Sequence, residues 1–340
     1  MTIKSNVIDH KLLCASSCAY YVDLSGKFVP PLSDKPKQYP DYCLYKDLDI
    51  IGKVHAFVNN STLLSKINAA IIIEIDEAYI LAFRGTLPFS TKHHDLALLE
   101  DWGEDLFGSN LVSRTGLPGK VHEGFADAFN TIWSQILEQL EIIYQKNNAQ
   151  KPLYITGHSK GGPMASYAAY RCNNSNIDVA GISTFASPFS GDADFAKAYN
   201  KVIDQTRYEY HLDIVPFLPP QQSLLKTVGT DIDLFMILLE VIFPQYRTKF
   251  KDVQHMIAYL ETINYKSVGT LKYINYLFQI ESDSPTLEAI RIKQFKKTIK
   301  QEGIKEGLKT IGHSHSIGCS GGYQKGCYPG ACDDASLSSL

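Results

Sequence analysis

Ile155-Thr156-Gly157-His158-Ser159-Lys160-Gly161-Gly162 decides how this chain of 340 residues is read. Gly157, Ser159 and Gly161 satisfy the pattern G-x-S-x-G, and the flanks give the pattern its meaning. Pro152 to Thr156 reads as a short buried strand. Gly162 to Arg171, with Ala165, Ala168 and Ala169, reads as a tightly packed helix. A strand, sharp turn and helix in this order form a nucleophile elbow, which presents a serine hydroxyl at the carboxyl end of a central strand. Side chains flanking so strained a turn would collide, and glycine tolerates its dihedrals. A glycine-rich turn that merely contains serine accounts for the pattern but not for its flanks. Ser159 is therefore the candidate nucleophile.

Working outward, Ile67 to Ile75 and Tyr79 to Phe83 predict two strands, joined as a hairpin at Asp76-Glu77. Residues 10–22 have helical spacing, with Cys14 and Cys18 on one face, and residues 24–50 read as loop. Phe125 to Tyr144 repeats Phe129, Ile132, Ile136, Leu140 and Ile143 at helical period. Val179 to Phe185 predicts a strand, Ala193 to Val202 a helix, and Tyr208 to Leu212 a strand that ends at Asp213. Strands alternating with helices predict an α/β fold, a mainly parallel central sheet with helices on both faces. Beyond Pro220, Tyr265 to Ile274 predicts one strand and Thr286 to Lys309 one basic helix. The end from Gly312 reads as loop. The expected organisation is a single domain over 1–330, with helical insertions near 221–263 and 284–310 and a flexible tail at 331–340.

The net charge of -3 implies no general affinity for nucleic acid. No apolar run approaches the ~20 residues of a membrane span, and residues 1–10 lack a signal-peptide pattern. With seven cysteines and no such signal, reduced thiols are expected. The expected compartment is the cytoplasm, with export by a route that reads no N-terminal signal left open.

A serine hydroxyl needs a base within hydrogen-bond reach, and the base needs an orienting carboxylate. The best acid is Asp213, in Tyr210-His211-Leu212-Asp213-Ile214-Val215-Pro216-Phe217-Leu218-Pro219-Pro220. A carboxylate at a strand end before a proline-stiffened loop lies on the same sheet edge as the elbow. The plainer alternative is an aspartate that only caps a turn. Ten histidines compete for the base.

Four segments, in order, resemble the class 3 lipase family, the fungal-lipase-like α/β-hydrolases. They are Ala82-Phe83-Arg84-Gly85-Thr86, Val121-His122-Glu123-Gly124-Phe125, the elbow, and Asp213-Ile214-Val215-Pro216-Phe217-Leu218-Pro219. The resemblance covers about residues 65–275 and implies an α/β-hydrolase fold acting as a serine lipase or esterase on lipid esters, at a transient membrane or lipid-droplet surface. A phospholipase A1-type enzyme, conceivably an exported effector, is the alternative, and a non-catalytic lipid-binding module is the rival from another class. The resemblance makes Ser159 the nucleophile and Asp213 the orienting acid. It places Thr86 and the Lys160 backbone N–H in the oxyanion hole. The Lys160 side chain is expected to be exposed or salt-bridged. The family's histidine follows the strand at Tyr265 to Gly269, reads H-S then apolar, and precedes a tyrosine. His315, with Ser316, Ile317 and Tyr323, fits better than His313, and His255 lies upstream. His158 is expected to point away from the serine, and His122 to be structural.

The family's lid follows the oxyanion strand, so residues 87–101, with Leu98 and Leu99, are the expected lid. Ile232 to Phe243 reads as a buried helix or an apolar cap. The basic helix either lies on anionic lipid or packs on the core with a solvated face. Zinc at His313, His315, Cys319, Cys327 and Cys332 is weighed and set aside, because no C-x-x-C spacing is present. No metal or organic cofactor is expected.

Overall fold

Runs of β-branched and aromatic residues separated by alanine-rich helical segments build a two-faced sheet, and the computed structural model shows how. It describes residues 5–31, 42–59, 68–86, 110–146, 151–219, 264–317 and 322–327. In chain order these form α1 (Ser5–Cys18), α2 (Tyr42–Lys46), β1 (Ile51–Val58), β2 (Ala69–Glu74), β3 (Tyr79–Phe83), β4 (Leu111–Val112), β5 (Val121–His122) and α3 (Glu123–Lys146). The elbow elements β6 (Leu153–His158) and α4 (Gly161–Asn174) follow, then β7 (Val179–Phe185), β8 (Gly191–Asp192), α5 (Ala193–Tyr199) and β9 (Gln205–Tyr210). The last part holds β10 (Tyr265–Lys266), β11 (Thr270–Ile274), β12 (Ile280–Ser282), α6 (Leu287–Glu302), α7 (Ile304–Ser314) and α8 (Gly322–Cys327).

The large sheet runs β1-β2-β3-β6-β7-β9-β11-β12. Strands β3, β6, β7, β9 and β11 are mutually parallel, and β1, β2 and β12 join antiparallel. This is the mixed, mostly parallel sheet of an α/β-hydrolase. Both faces are covered, which is why β2 and β3 read as unbroken apolar runs. Leu81, Phe83 and Ile155 pack with Phe125, Phe129 and Ile136 of α3 and Met164 of α4. Ile71, Ile73, Ile80 and Ala82 pack on the other face with Leu12, Leu13 and Ala15 of α1 and with Tyr323 of α8. A small sheet, β10-β8-β5-β4, flanks this frame.

Several expectations are corrected. The stretch from Tyr265 to Ile274 is two strands in different sheets, because Gly269 breaks it with φ +72°. A Cβ there would meet the Gln205 carbonyl at 2.4 Å, so only glycine lets the chain pass β9 this closely. The basic helix is two, α6 and α7, broken at Gly303 with φ +78°. The end from Gly312 is partly helical, since α7 runs to Ser314 and α8 follows. Tyr42–Lys46 is helical within the expected loop, and the edge strands β1 and β12 are additional. Residues 87–101, 221–263 and 331–340 lie outside the described residues, so the expected lid, the apolar run Ile232 to Phe243 and the tail do too. Among the described residues, no helix is long and apolar enough to cross a membrane.

One buried carboxylate ties α1 to the sheet. Asp9 accepts from the Ser183 hydroxyl of β7 at 2.6 Å and from the Tyr208 hydroxyl of β9 at 2.6 Å, and Lys272 of β11 lies 3.2 Å away. Burial, then Asp9, pushes the Tyr208 phenol up, so it stays a neutral donor. Asp9→Ala leaves these partners buried without their acceptor and should cost about 2–4 kcal/mol. Urea unfolding would read this as a lower midpoint at unchanged slope. An unchanged midpoint contradicts the anchoring role.

Candidate active site

The elbow forms because three glycines leave room for it. After β6, Ser159 adopts φ +55°, donates its N–H to the Phe185 carbonyl at 3.0 Å and accepts from the Gly162 N–H at 2.8 Å. A Cβ on Gly157 would meet the Gly161 carbonyl at 2.1 Å, one on Gly161 the Phe83 carbonyl at 2.2 Å, and one on Gly162 the Ser187 hydroxyl at 2.4 Å. No side chain of any kind fits between α4 and the ends of β3 and β7.

The segment after β3 comes equally close. A Cβ on Gly85 would lie 2.9 Å from the Ser159 Cβ. Thr86, next in chain, is half-buried beside it. The buried Arg84 holds this segment by donating to the Val22 carbonyl at 3.0 Å. Burial lowers its pKa to about 10, so it remains charged at neutral pH. Lys160 follows the serine at the N-cap of α4. Its side chain corrects the expectation of exposure. It is buried, and its ammonium donates to the Asn68 side-chain oxygen at 3.1 Å. Asn68 lies just before β2 and also donates to the Thr131 hydroxyl of α3 at 3.3 Å, so Lys160 links the elbow to both.

The acid sits three residues past the end of β9, not at the strand end itself. A turn through His211, with φ +23°, carries the chain there. Asp213 is fully buried, and its carboxylate accepts from the Val215 N–H at 2.9 Å and the Tyr323 hydroxyl at 2.5 Å. It therefore does cap a turn, and it also does more. The His315 Nδ1 lies 3.0 Å from each carboxylate oxygen. A carboxylate can only accept, so Nδ1 carries the hydrogen and the lone pair of the neutral ring is left on Nε2. His315 follows α7 as its C-cap and is buried. His313 is exposed, and His255 lies outside the described residues.

Contacts of His158, Tyr20 and Tyr323 complete the cluster. His158 is buried, and its Nε2 lies 2.9 Å from the His315 carbonyl while its Nδ1 lies 2.8 Å from the Tyr20 hydroxyl. The carbonyl requires Nε2–H, so Tyr20 donates to Nδ1. Burial, then the neighbouring His315, holds the His158 pKa well below its ordinary value, and the ring is neutral. Its centroid is 4.6 Å from that of His315. The residue before the serine thus supports the segment that carries His315. Tyr323 is the third. Burial, then Asp213, raises its pKa well above the usual phenol range, which keeps it a donor to the carboxylate. Its place in the family pattern was legible, its bond to Asp213 was not.

Further out, Arg291 of α6 is buried over the Phe217 ring at 4.3 Å and donates to the Asp213 carbonyl at 3.3 Å. It also pairs with Glu209. Burial alone would raise the Glu209 pKa, and Arg291 and Arg207 outweigh it, so the carboxyl is held low. His122 is buried and stacked on Phe125 at 3.9 Å, a structural residue as expected.

Among the described residues no group of three or more His, Cys, Asp or Glu side chains is arranged to hold a metal ion. Burial, then Asp9, pushes the Cys327 thiol well up. Cys319 and Cys332 lie outside the described residues.

Residues 80–223 match the family model for lipase (class 3). A lipase of Caenorhabditis elegans is 25% identical over 190 residues, which are 50% of this chain and 49% of the relative. The chain thus spans about half the length of the curated relative it matches. The triacylglyceride lipase of Rhizomucor miehei superposes with a TM-score of 0.51 at 17% identity, covering 81% of this chain and 82% of that one. A second fungal lipase gives 0.52 at 17% identity with coverage of 81% and 82%. At such identities the likeness is one of fold.

The neutral burial of His158 has a consequence for acid stability. Below about pH 6.5, its ordinary pKa, the unfolded chain takes up a proton that the folded chain refuses. The stability from this group is present above that pH and is lost as pH falls, at up to ~1.4 kcal/mol per pH unit. His158→Gln keeps a donor for the His315 carbonyl and should flatten this loss between pH 6.5 and 5. Parallel stability curves for variant and wild type contradict the assignment.

Proposed function

We propose that this chain, whose residues 80–223 match the family model for lipase (class 3), hydrolyses carboxylic esters of lipids through Ser159, His315 and Asp213. The observation that carries the reading is the Asp213–His315 hydrogen bond at 3.0 Å, set against the residue that precedes a serine held at φ +55°.

In the proposed reaction His315 Nε2 takes the Ser159 proton as Oγ attacks the ester carbonyl carbon. Asp213 accepts from Nδ1–H and stabilises the imidazolium without itself being protonated. The N–H groups of Thr86 and Lys160 receive the oxyanion of the tetrahedral intermediate, with the Thr86 hydroxyl as a further donor. The intermediate collapses, the carbon–oxygen bond to the alcohol breaks, and His315 protonates the departing alkoxide. Water then attacks the acyl-enzyme with His315 again as base, releasing the fatty acid and restoring Ser159. Acylglycerols and phospholipids both offer such an ester. Lipid profiling with purified protein separates a neutral-lipid enzyme from a phospholipase A1-type one.

The test is turnover of a soluble p-nitrophenyl ester by folded variants. Ser159→Ala should abolish it. Asp213→Asn should cost up to ~10⁴ by analogy with a serine protease triad, and His315→Ala at least as much. His313→Ala should stay near wild type. Thr86→Ala should lower kcat by ~10² or less with little change in KM, because the backbone donor survives. Substantial turnover in folded Ser159→Ala refutes the nucleophile. An active His315→Ala beside a dead His313→Ala moves the base.

A further inference from the structure

Beyond β11 the chain reverses through Asn275-Tyr276-Leu277-Phe278-Gln279 into β12, and this turn faces the wrong way for a soluble surface. Tyr276 is 59% and Leu277 55% exposed, and Ile280 at 47% continues the patch. Single exposed apolar residues are ordinary. Here the turn is constructed to project them. The buried Asn275 accepts from the N–H groups of Leu277 and Gln279 at 2.8 and 3.0 Å, and its amide donates to Glu281 at 2.6 Å. The backbone closes with Asn275 N–H to the Gln279 carbonyl at 3.0 Å and Phe278 N–H to the Asn275 carbonyl at 2.9 Å. Phe278 stacks on Tyr210 at 6.1 Å and 8°.

The placement is specific. The His211 N–H donates to the Ile274 carbonyl at 2.8 Å, so the turn rises from the carboxyl edge of the sheet two residues from Asp213. It is on the edge that carries Ser159 and His315. The Lys325 ammonium sits 5.1 Å above the Phe278 ring and places a cation beside the apolar tip. A few side chains on a convex turn fall well short of the roughly 1,000 Å² that a specific protein partner needs. An aromatic, an aliphatic and a flanking lysine suit the polar–apolar boundary of a bilayer, where tyrosine sits at headgroup level and lysine meets anionic lipid.

We infer that the turn Tyr276–Phe278, with Lys325, is a docking point for a phospholipid surface that brings the candidate active-site edge against its substrate. The inference rests on the ester-hydrolase reading above and names the surface that this site meets.

The test uses the full chain and sedimentation with vesicles of phosphatidylcholine, alone or with phosphatidylserine. The double variant Tyr276→Ser/Leu277→Ser should lose about tenfold or more in vesicle partition, with p-nitrophenyl butyrate turnover and Tm unchanged. Lys325→Gln should lose about fivefold on the serine-containing vesicles alone. Wild-type sedimentation by the double variant overturns the inference, as does a wild type that binds neither vesicle. A variant that changes only self-association on gel filtration makes the tip a protein contact and also overturns it. If wild type turns over no soluble ester, the hydrolase reading fails by a measurement separate from vesicle binding.

Discussion

The conformation of Ser159 constrains everything around it. An L-residue at φ +55° is unfavourable, and at functional sites such strain persists only where the surroundings over-determine it. Here the Phe185 carbonyl and the Gly162 N–H grip the serine's own backbone groups. The approach of α4 to the ends of β3 and β7 leaves no space at Gly157, Gly161 or Gly162. That approach also brings Gly85, just after β3, against the serine. One strained dihedral is thus held by the close packing of the β3, β6 and β7 ends against α4.

The proposed base is positioned by a different device. His315 is remote in sequence from both Ser159 and Asp213, and α7 delivers it as a helix C-cap. Four groups then fix it. Asp213 takes its Nδ1–H, His158 takes its carbonyl, Tyr20 orients His158, and Tyr323 orients Asp213. A carboxylate and a carbonyl oxygen only accept, which leaves one tautomer of each imidazole ring consistent with these bonds. Burial supports this, since it keeps both His158 and Tyr323 uncharged.

What was legible in the sequence follows the range of the interactions. The elbow could be read because its requirements are local: small residues beside a strained serine, within a strand–turn–helix. Tyr79–Phe83 could be read because burial on both faces writes itself as an apolar run. Asp213 and His315 needed the order of motifs as well. The fate of Lys160 was not legible, since its acceptor Asn68 lies 92 residues away and is supplied by tertiary packing. The same holds for Tyr20 on His158, 138 residues apart. Gly269 and Gly303 were visible, but each lay inside a convincing periodic run, and the positive φ that breaks the run depends on neighbours in space. The strand Ile51–Val58 alternates polar and apolar residues around Lys53 and His55 and offered a signal that its proline- and tyrosine-rich surroundings obscured.

The central claim is that Ser159 is activated by His315 in the folded chain. Labelling with a fluorophosphonate, followed by mass-spectrometric mapping of the modified peptide, tests it directly, because the reagent phosphonylates only a serine whose proton is being removed. Stoichiometric label is expected on Ser159 in the wild type and none on that residue in folded His315→Ala. Label on another serine, or equal labelling of Ser159 in the two proteins, would contradict it.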